Sequence, residues 1–298
     1  MNLLEEITAL KKQRNAVILA HNYCRGEVQD AADYTGDSLE LARIATRVDA
    51  EVILFCGVRF MAETAAILNP TRTVLVPDVT AGCAMADMIN ASQLRALKAE
   101  HPGAAAVCYV NSTAEVKAEC EMCVTSGNAE KVMATFPPDR EILFVPDQHL
   151  GGHVAAKFGR EYTLWPGYCP VHAALTAEAV ARARAAHPGA PVLVHPECPA
   201  EVRAVADQLL STGGMCAFAR TTEAETILVG TEAGILHRLR KENPAKTFVP
   251  IADLECHDMK KTTLEKMRNA LRDLAPVVTV DPEIAARAKR AIDAMLAI

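Results

Sequence analysis

Nine short apolar runs punctuate the chain, each ending in polar or turn-forming residues: AVILAHN from Ala16, EVILFCG from Glu51, TVLVPD from Thr73, AVCYVN from Ala106, EILFVPD from Glu141, YTLWPG from Tyr162, PVLVHPE from Pro191, TILVGTE from Thr226 and TFVPIAD from Thr247. Their length and β-branched content predict strands. Between them lie stretches with apolar residues at helical spacing, such as SLELARIATRV from Ser38, AMADMINASQLRALKAEH from Ala84, LTAEAVARARAAH from Leu175 and TLEKMRNALRDL from Thr263. Strand and helix in alternation, with no Gly/Ser or Pro-rich linker, predict βαβ units, parallel sheets and an α/β fold.

The pattern repeats. KAEHPGAAAVCYVNS from Lys98 and RAAHPGAPVLVHPEC from Arg184 share His101 and His187 at an offset of 86, and Cys83 and Cys169 stand at that same offset. Extending the register gives three copies. Each opens on a strand ending in a triplet: His21, Asn22, Tyr23; Tyr109, Val110, Asn111; His195, Pro196, Glu197. Seventeen residues after each first member stands a hydroxyl, Ser38, Ser126 or Thr212, with a neighbouring glycine, Gly36, Gly127 or Gly213. These hydroxyls are expected as helix N-caps. Each copy closes on a cysteine, Cys83, Cys169 or Cys256, after 62, 60 and 61 residues (21 to 83, 109 to 169, 195 to 256). We therefore expect three similar αβα sandwich domains, 1–85, 86–171 and 172–257, around a pseudo-threefold axis. The C-terminal 258–298 is expected to complete the first beside the N-terminal helix.

Strand carboxyl ends carry the sites of open α/β sheets, so these positions are expected to meet in one central cavity. Three thiolates from segments 86 and 87 residues apart would then form a ligand set. Zinc usually takes four ligands in structural sites, and imidazoles or carboxylates in catalytic ones. An iron-sulfur cluster is complete with four cysteines; three leave one iron open as a Lewis acid for a dehydration. Helix N-termini capped by Ser38, Ser126 and Thr212 suit carboxylates or phosphates without any lysine. Glu197, beside anions and buried, is expected to have a raised pKa and to act as general base.

Composition narrows the partners. Of 298 residues half are apolar but only 4% aromatic, so the core is aliphatic and alanine-rich. The net charge of −6 and the absence of Lys/Arg runs longer than two exclude the basic surface that nucleic acid needs. No apolar run approaches the roughly 18 residues of a membrane span, and the chain is expected to be soluble and cytoplasmic. Its ten cysteines are then not a disulfide framework. Cys120 and Cys123, in CEMC, have the spacing of a metal knuckle or redox pair but no second pair, and burial is the better reading. Cys24, Cys56, Cys108, Cys198 and Cys216 read as core or cavity wall, with Cys24 and Cys198 near enough to be exposed to the site.

AHNY, GDSLELA, VPD followed by AGCAM, YVNS, CVTSGNA, GYCPVH, VHPEC, STGGM, VGTEAGILHRL and MKKTTLEKM together resemble the quinolinate synthase family of de novo NAD biosynthesis, over essentially the whole chain. The resemblance implies a 4Fe-4S cluster on Cys83, Cys169 and Cys256. It implies condensation of iminoaspartate with dihydroxyacetone phosphate to quinolinate, releasing phosphate and two waters, and a functional link to an enzyme that produces iminoaspartate. Substrate contacts carry over onto His21, Ser38, Tyr109, Val110, Asn111, Ser126, His195, Pro196, Glu197 and Thr212. Proton-transfer roles fall to Glu197, His195, Tyr23 and His21. Some members carry a further CxxC near the C-terminus, absent here. A zinc-dependent hydrolase and a non-catalytic iron-sulfur electron carrier are the competing readings. The first lacks an HExxH helix, and the second has no use for anion-binding caps.

Overall fold

The computed structural model describes residues 2–298. Its twelve strands form three parallel sheets of four. The first contains β1 (Ala16–His21), β2 (Tyr34–Gly36), β3 (Val52–Cys56) and β4 (Thr73–Leu75); the second β5 (Ala105–Tyr109), β6 (Met122–Val124), β7 (Ile142–Val145) and β8 (Thr163–Leu164); the third β9 (Val192–Val194), β10 (Gln208–Leu209), β11 (Thr226–Gly230) and β12 (Thr247–Pro250). The strand orders are β2-β1-β3-β4, β6-β5-β7-β8 and β10-β9-β11-β12, the same arrangement three times. All nine predicted strands are present. The three unpredicted ones, β2, β6 and β10, are equivalent edge strands of two or three residues, set among polar neighbours in DYTGD, EMCVTS and DQLLS.

Helices cover both faces of parallel sheets, so central strands are apolar throughout rather than alternating. VILFC of β3, AAVCY of β5 and ILFV of β7 are buried at every position. The stretch AMADMINASQLRALKAEH is not one helix. It breaks at Asn90, whose side chain and Gln93 form a capping box that starts the helix Ala91–Glu100 after a single 3-10 turn at Ala86–Met88.

The C-terminal segment divides its packing. The helix Leu264–Asp273 lies along the N-terminal helix Leu3–Gln13, and residues 276–278 pair antiparallel with β4. The last helix, Pro282–Leu296, instead packs on β6 and the helix Ala114–Lys117 of the second unit, and on the helix Arg59–Leu68 of the first. Its buried face of Ala288, Ala291, Ile292 and Met295 joins a core spanning both. It therefore leaves the N-terminal helix and wedges between two sheets, because an apolar stripe of this length needs more surface than one edge offers.

Polar clasps complete the joints. Lys117, wholly buried, donates to Ser112 O (2.8 Å), Thr64 Oγ1 (3.0 Å) and Phe60 O (3.4 Å); these bonds offset the cost of burying its amine. Between the first and third units, Ser211 Oγ donates to Asp37 Oδ2 (3.3 Å), and Lys260, just past the third, donates from Nζ to Tyr23 O (2.6 Å).

Candidate active site

One cavity of about 280 Å³ opens where the strands end, and it is lined by four equivalent positions from each sheet: His21, Tyr23, Ser38 and Cys83; Tyr109, Asn111, Ser126 and Cys169; His195, Glu197, Thr212 and Cys256. The middle member of each triplet, Asn22, Val110 or Pro196, is not in the lining. Residues i and i+2 of an extended chain face one side and i+1 the other, so this is the pleat continuing past the strand. For Val110 and Pro196 the structure thus places no side chain at the cavity.

In the first and third units the N-caps lie one residue before the expected hydroxyls. Asp37 Oδ1 accepts from Leu39 N–H (3.0 Å) and Glu40 N–H (2.9 Å), with Glu40 Oε2 accepting from Asp37 N–H (2.9 Å). Ser211 Oγ accepts from Gly214 N–H (3.1 Å). In the second unit Thr125 Oγ1 accepts from Gly127 N–H (3.2 Å), and the helix Ala129–Met133 begins only after Asn128. A cap needs extended backbone, which Asp37 and Ser211 have. Ser38 and Thr212 are already helical, so their hydroxyls are released to the cavity; Ser126 lies in the turn ahead of its helix, whose N-cap is Asn128, and also lines the cavity.

Local structure fixes each cysteine. Cys83 follows Gly82, whose N–H donates to Asp258 Oδ1 (3.2 Å) on the Cys256 loop. Cys169 precedes the short helix Pro170–Ala173, after a turn in which Gly167 touches Pro146 so closely that a Cβ would sit 2.4 Å from its carbonyl oxygen. Cys256 N–H donates to Glu232 Oε1 (3.1 Å), a wholly buried carboxylate paired with Lys260 Nζ at 2.6 Å. All three thiols are half-buried; their exposed part faces the cavity, whose walls still desolvate sulfur. Burial pushes Cys83 up to about 12 and shifts Cys169 and Cys256 upward too, with the Glu197 charge adding to the effect on Cys83 and Cys169. Cys24, Cys56, Cys108, Cys123, Cys198 and Cys216 are buried and absent from the lining. Cys24 and Cys198 thus belong to the core and not to the site: their thiols turn to the neighbouring strand, Cys24 donating to Cys56 O (3.3 Å) and Cys198 to Gly230 O (3.8 Å). Cys120 is half-buried elsewhere, and Cys123 Sγ lies 3.4 Å from Cys108 Sγ on the neighbouring strand.

His21 and His195 repeat one geometry. Each Nδ1 accepts the backbone N–H two residues on, Tyr23 at 3.2 Å and Glu197 at 3.3 Å. The ring proton therefore sits on Nε2, and in His195 it donates to Ser126 Oγ (3.1 Å). Burial pushes both down to about 3, so both are neutral donors at pH 7. Being depressed below the usual 6.5, they take up protons on unfolding in mild acid. Their contribution to stability is complete above about pH 6.5 and is lost as pH falls toward about 3. In denaturant titrations between about pH 6 and pH 4, His21→Gln and His195→Gln should each reduce the proton uptake on unfolding by about one; slopes equal to wild type would contradict this.

Glu197 departs from expectation. Burial pushes its carboxyl upward, but the neighbouring His172 and the hydrogen bonds donated by His172 and Tyr109 outweigh burial and hold it below the ordinary carboxylate range. Tyr109 O–H donates to Oε1, and His172 Nδ1 lies 2.7 Å from Oε2. Neither His172 nor Thr231 is among the candidates read from the sequence. His172 Nε2 is 2.8 Å from Thr231 Oγ1, which is 2.6 Å from Tyr23 Oη, and the His172 ring stacks on His195 with centroids 4.7 Å apart. With Nδ1–H donating to the carboxylate, Nε2 accepts from Thr231 O–H, which in turn accepts from Tyr23 O–H. One chain of hydrogen bonds thus joins Tyr23 to Glu197 and Tyr109. Burial, then the Glu197 charge, raises both tyrosines and keeps them protonated.

Among the described residues no lysine or arginine lines the cavity. The fold and the cavity define an α/β enzyme whose site is assembled at strand carboxyl ends from three repeated units. The family described as NadA, Quinolinate synthetase A protein, matches residues 5–297. Similar proteins named quinolinate synthase include one from Dehalococcoides mccartyi (strain CBDB1), 52% identical over 294 residues that cover 98% of this chain and 97% of that protein. Others come from Methanoregula boonei, 53% identical over 297 residues (99% and 98%), and Thermus thermophilus, 52% identical over 301 residues (99% and 97%). The chain belongs to the quinolinate synthase family, enzymes of NAD biosynthesis. No helix among the described residues is long and apolar enough to cross a membrane.

Proposed function

We propose that the chain condenses iminoaspartate with dihydroxyacetone phosphate to quinolinate, releasing phosphate and two waters, and that Cys83, Cys169 and Cys256 hold a 4Fe-4S cluster. The observation that carries this reading is the set of three half-buried thiols at equivalent positions in the lining of one cavity. Their donor chemistry fits. In these surroundings all three keep their protons at neutral pH, and a cation among them is what would turn them into ligands. When bound, such a cluster supplies an iron without a protein ligand, a Lewis acid for dehydration.

The chain's own residues supply the rest. Ser38 and Thr212, each the first residue of a ten-residue helix, offer hydroxyls and peptide dipoles to carboxylate or phosphate. Ser126 and Asn111 add polar contacts from the second unit. His21 and His195 donate from Nε2 without charge. Glu197, ionised, accepts protons during isomerisation and dehydration, while Tyr23 and Tyr109 stay protonated and donate. We also infer that the three sheets are cores of domains 1–85, 86–171 and 172–257 about a pseudo-threefold axis. The substrate would come from an enzyme releasing iminoaspartate, in the cytoplasm, where thiols stay reduced.

One observation favours a zinc site instead: the ligand atoms of Cys169, His172 and Glu197 all lie within 4.8 Å of one another. Anaerobic purification decides. We expect a brown protein with iron and acid-labile sulfide in equal amounts, whose spectrum responds to quinolinate and which forms quinolinate from the two substrates. Colourless protein with stoichiometric zinc and no turnover would overturn the reading.

A further inference from the structure

Asn22 turns away from the cavity, yet it touches the cavity's edge. It is wholly buried, and its Nδ2 donates to Thr212 Oγ1 at 2.9 Å, across the joint between the first and third units. On its other side Arg238 Nη1 donates to Asn22 Oδ1, also at 2.9 Å. A guanidinium is a donor only, so Arg238 forces the amide oxygen toward itself and the amide N–H toward Thr212. Arg238 is held in turn by Glu242, at 2.6 Å from Nε to Oε1.

Thr212 therefore cannot give its hydrogen to Asn22. One lone pair of its oxygen accepts there, and the O–H is left to point elsewhere. Among the described residues no acceptor for that hydrogen lies within hydrogen-bond distance, although Thr212 is only 3% exposed. The group lines the cavity at the first residue of the helix Thr212–Thr221. There an unpaired O–H and the positive end of the helix point to the same kind of ligand.

We propose that Asn22, oriented by Arg238, is a positioning residue that leaves the Thr212 O–H free to donate to an anionic oxygen of the bound substrate. This rests on the reading that the cavity takes anionic substrates. A simple seam between two units would need only some hydrogen bond from Asn22. The proposal needs the polarity of that bond, and the two can be separated.

Asn22→Asp is nearly isosteric and keeps an oxygen for Arg238, but it presents Thr212 with an acceptor. The hydroxyl then turns its hydrogen to the aspartate and its lone pairs to the ligand. The test is a double-mutant cycle on the cluster-loaded enzyme: wild type, Asn22→Asp, Thr212→Val and the double variant. Readouts are the KM for dihydroxyacetone phosphate and dissociation constants for quinolinate and inorganic phosphate, with iron content and unfolding midpoint as controls. With Thr212 in place, Asn22→Asp is expected to weaken at least one of these by about 10- to 100-fold. Added to Thr212→Val, it should weaken none by more than about twofold.

Equal penalties in both backgrounds would overturn the proposal, since they would mean plain charge repulsion or a structural defect. If Asn22→Asp does not fold, Asn22→Ala is read in the same two backgrounds, with a smaller penalty that must again vanish with Thr212→Val. Wild-type enzyme that forms quinolinate but shows no coupling would sink this inference alone. Wild-type protein that binds neither probe and makes no product would sink the proposed function with it.

Discussion

Cys169→Ser is expected to yield a chain of ordinary fold that retains no full cluster and loses more than about 100-fold of its activity, beyond what disturbing a ligand's surroundings costs. The thiols sit on three separate loops, and the contacts that hold Cys83 and Cys256 do not involve Cys169, so removing it leaves the other two in place with no further cysteine in the cavity lining. The control is Cys120→Ser, in the CEMC pair that a motif search would select first. It lies outside the cavity lining and should change neither iron content nor turnover. Iron, sulfide and the visible spectrum of anaerobically purified protein check both. A Cys169→Ser protein with a full, substrate-responsive cluster would remove the ligand assignment.

The second large effect concerns Glu197. Glutamine keeps the shape but has one accepting oxygen where the carboxylate has two, so it cannot satisfy both Tyr109 O–H and His172 N–H, and it cannot take a proton. We expect Glu197→Gln to lower kcat by about 10²- to 10⁴-fold, the range for loss of a general acid-base, with iron and sulfide contents unchanged. Normal turnover with a normal cluster would end the assignment of Glu197 as base. The hydrogen bonds that keep this carboxylate ionised also moderate its basicity. Tyr109→Phe, which removes one of them, should therefore move the acidic limb of the pH profile upward.

What could be read from the sequence follows from what repeats. Strand-to-loop spacing is set by how far a chain travels along one strand and back over one helix. Three similar units therefore carry His21, Tyr109 and His195, then the hydroxyls, then the cysteines, at nearly constant intervals. The same rule misplaces the first and third caps by one residue, because Asp37 and Ser38, and Ser211 and Thr212, are adjacent polar pairs, and it misses the second, where the cap is Asn128. Backbone conformation, not residue type, decides which member serves the helix. His172 and Thr231 escape it because neither has equivalents in the other units. The strand-end rule, extended beyond the first strand of each unit, finds Thr231 just past β11. The direction of the Glu197 shift is illegible for another reason: Tyr109 and His172, its two donors, are 88 and 25 positions away along the chain.

The spacing of the cavity thiols also bears on the order in which the protein can be made. No sheet holds two of them, and the last, Cys256, follows the final strand. A chain emerging from the ribosome lacks the third of these thiols until nearly all of it has been synthesised, and the three meet only once the units have docked. On the proposed reading a cluster can be held only by a finished apoprotein, so its presence would report completed assembly.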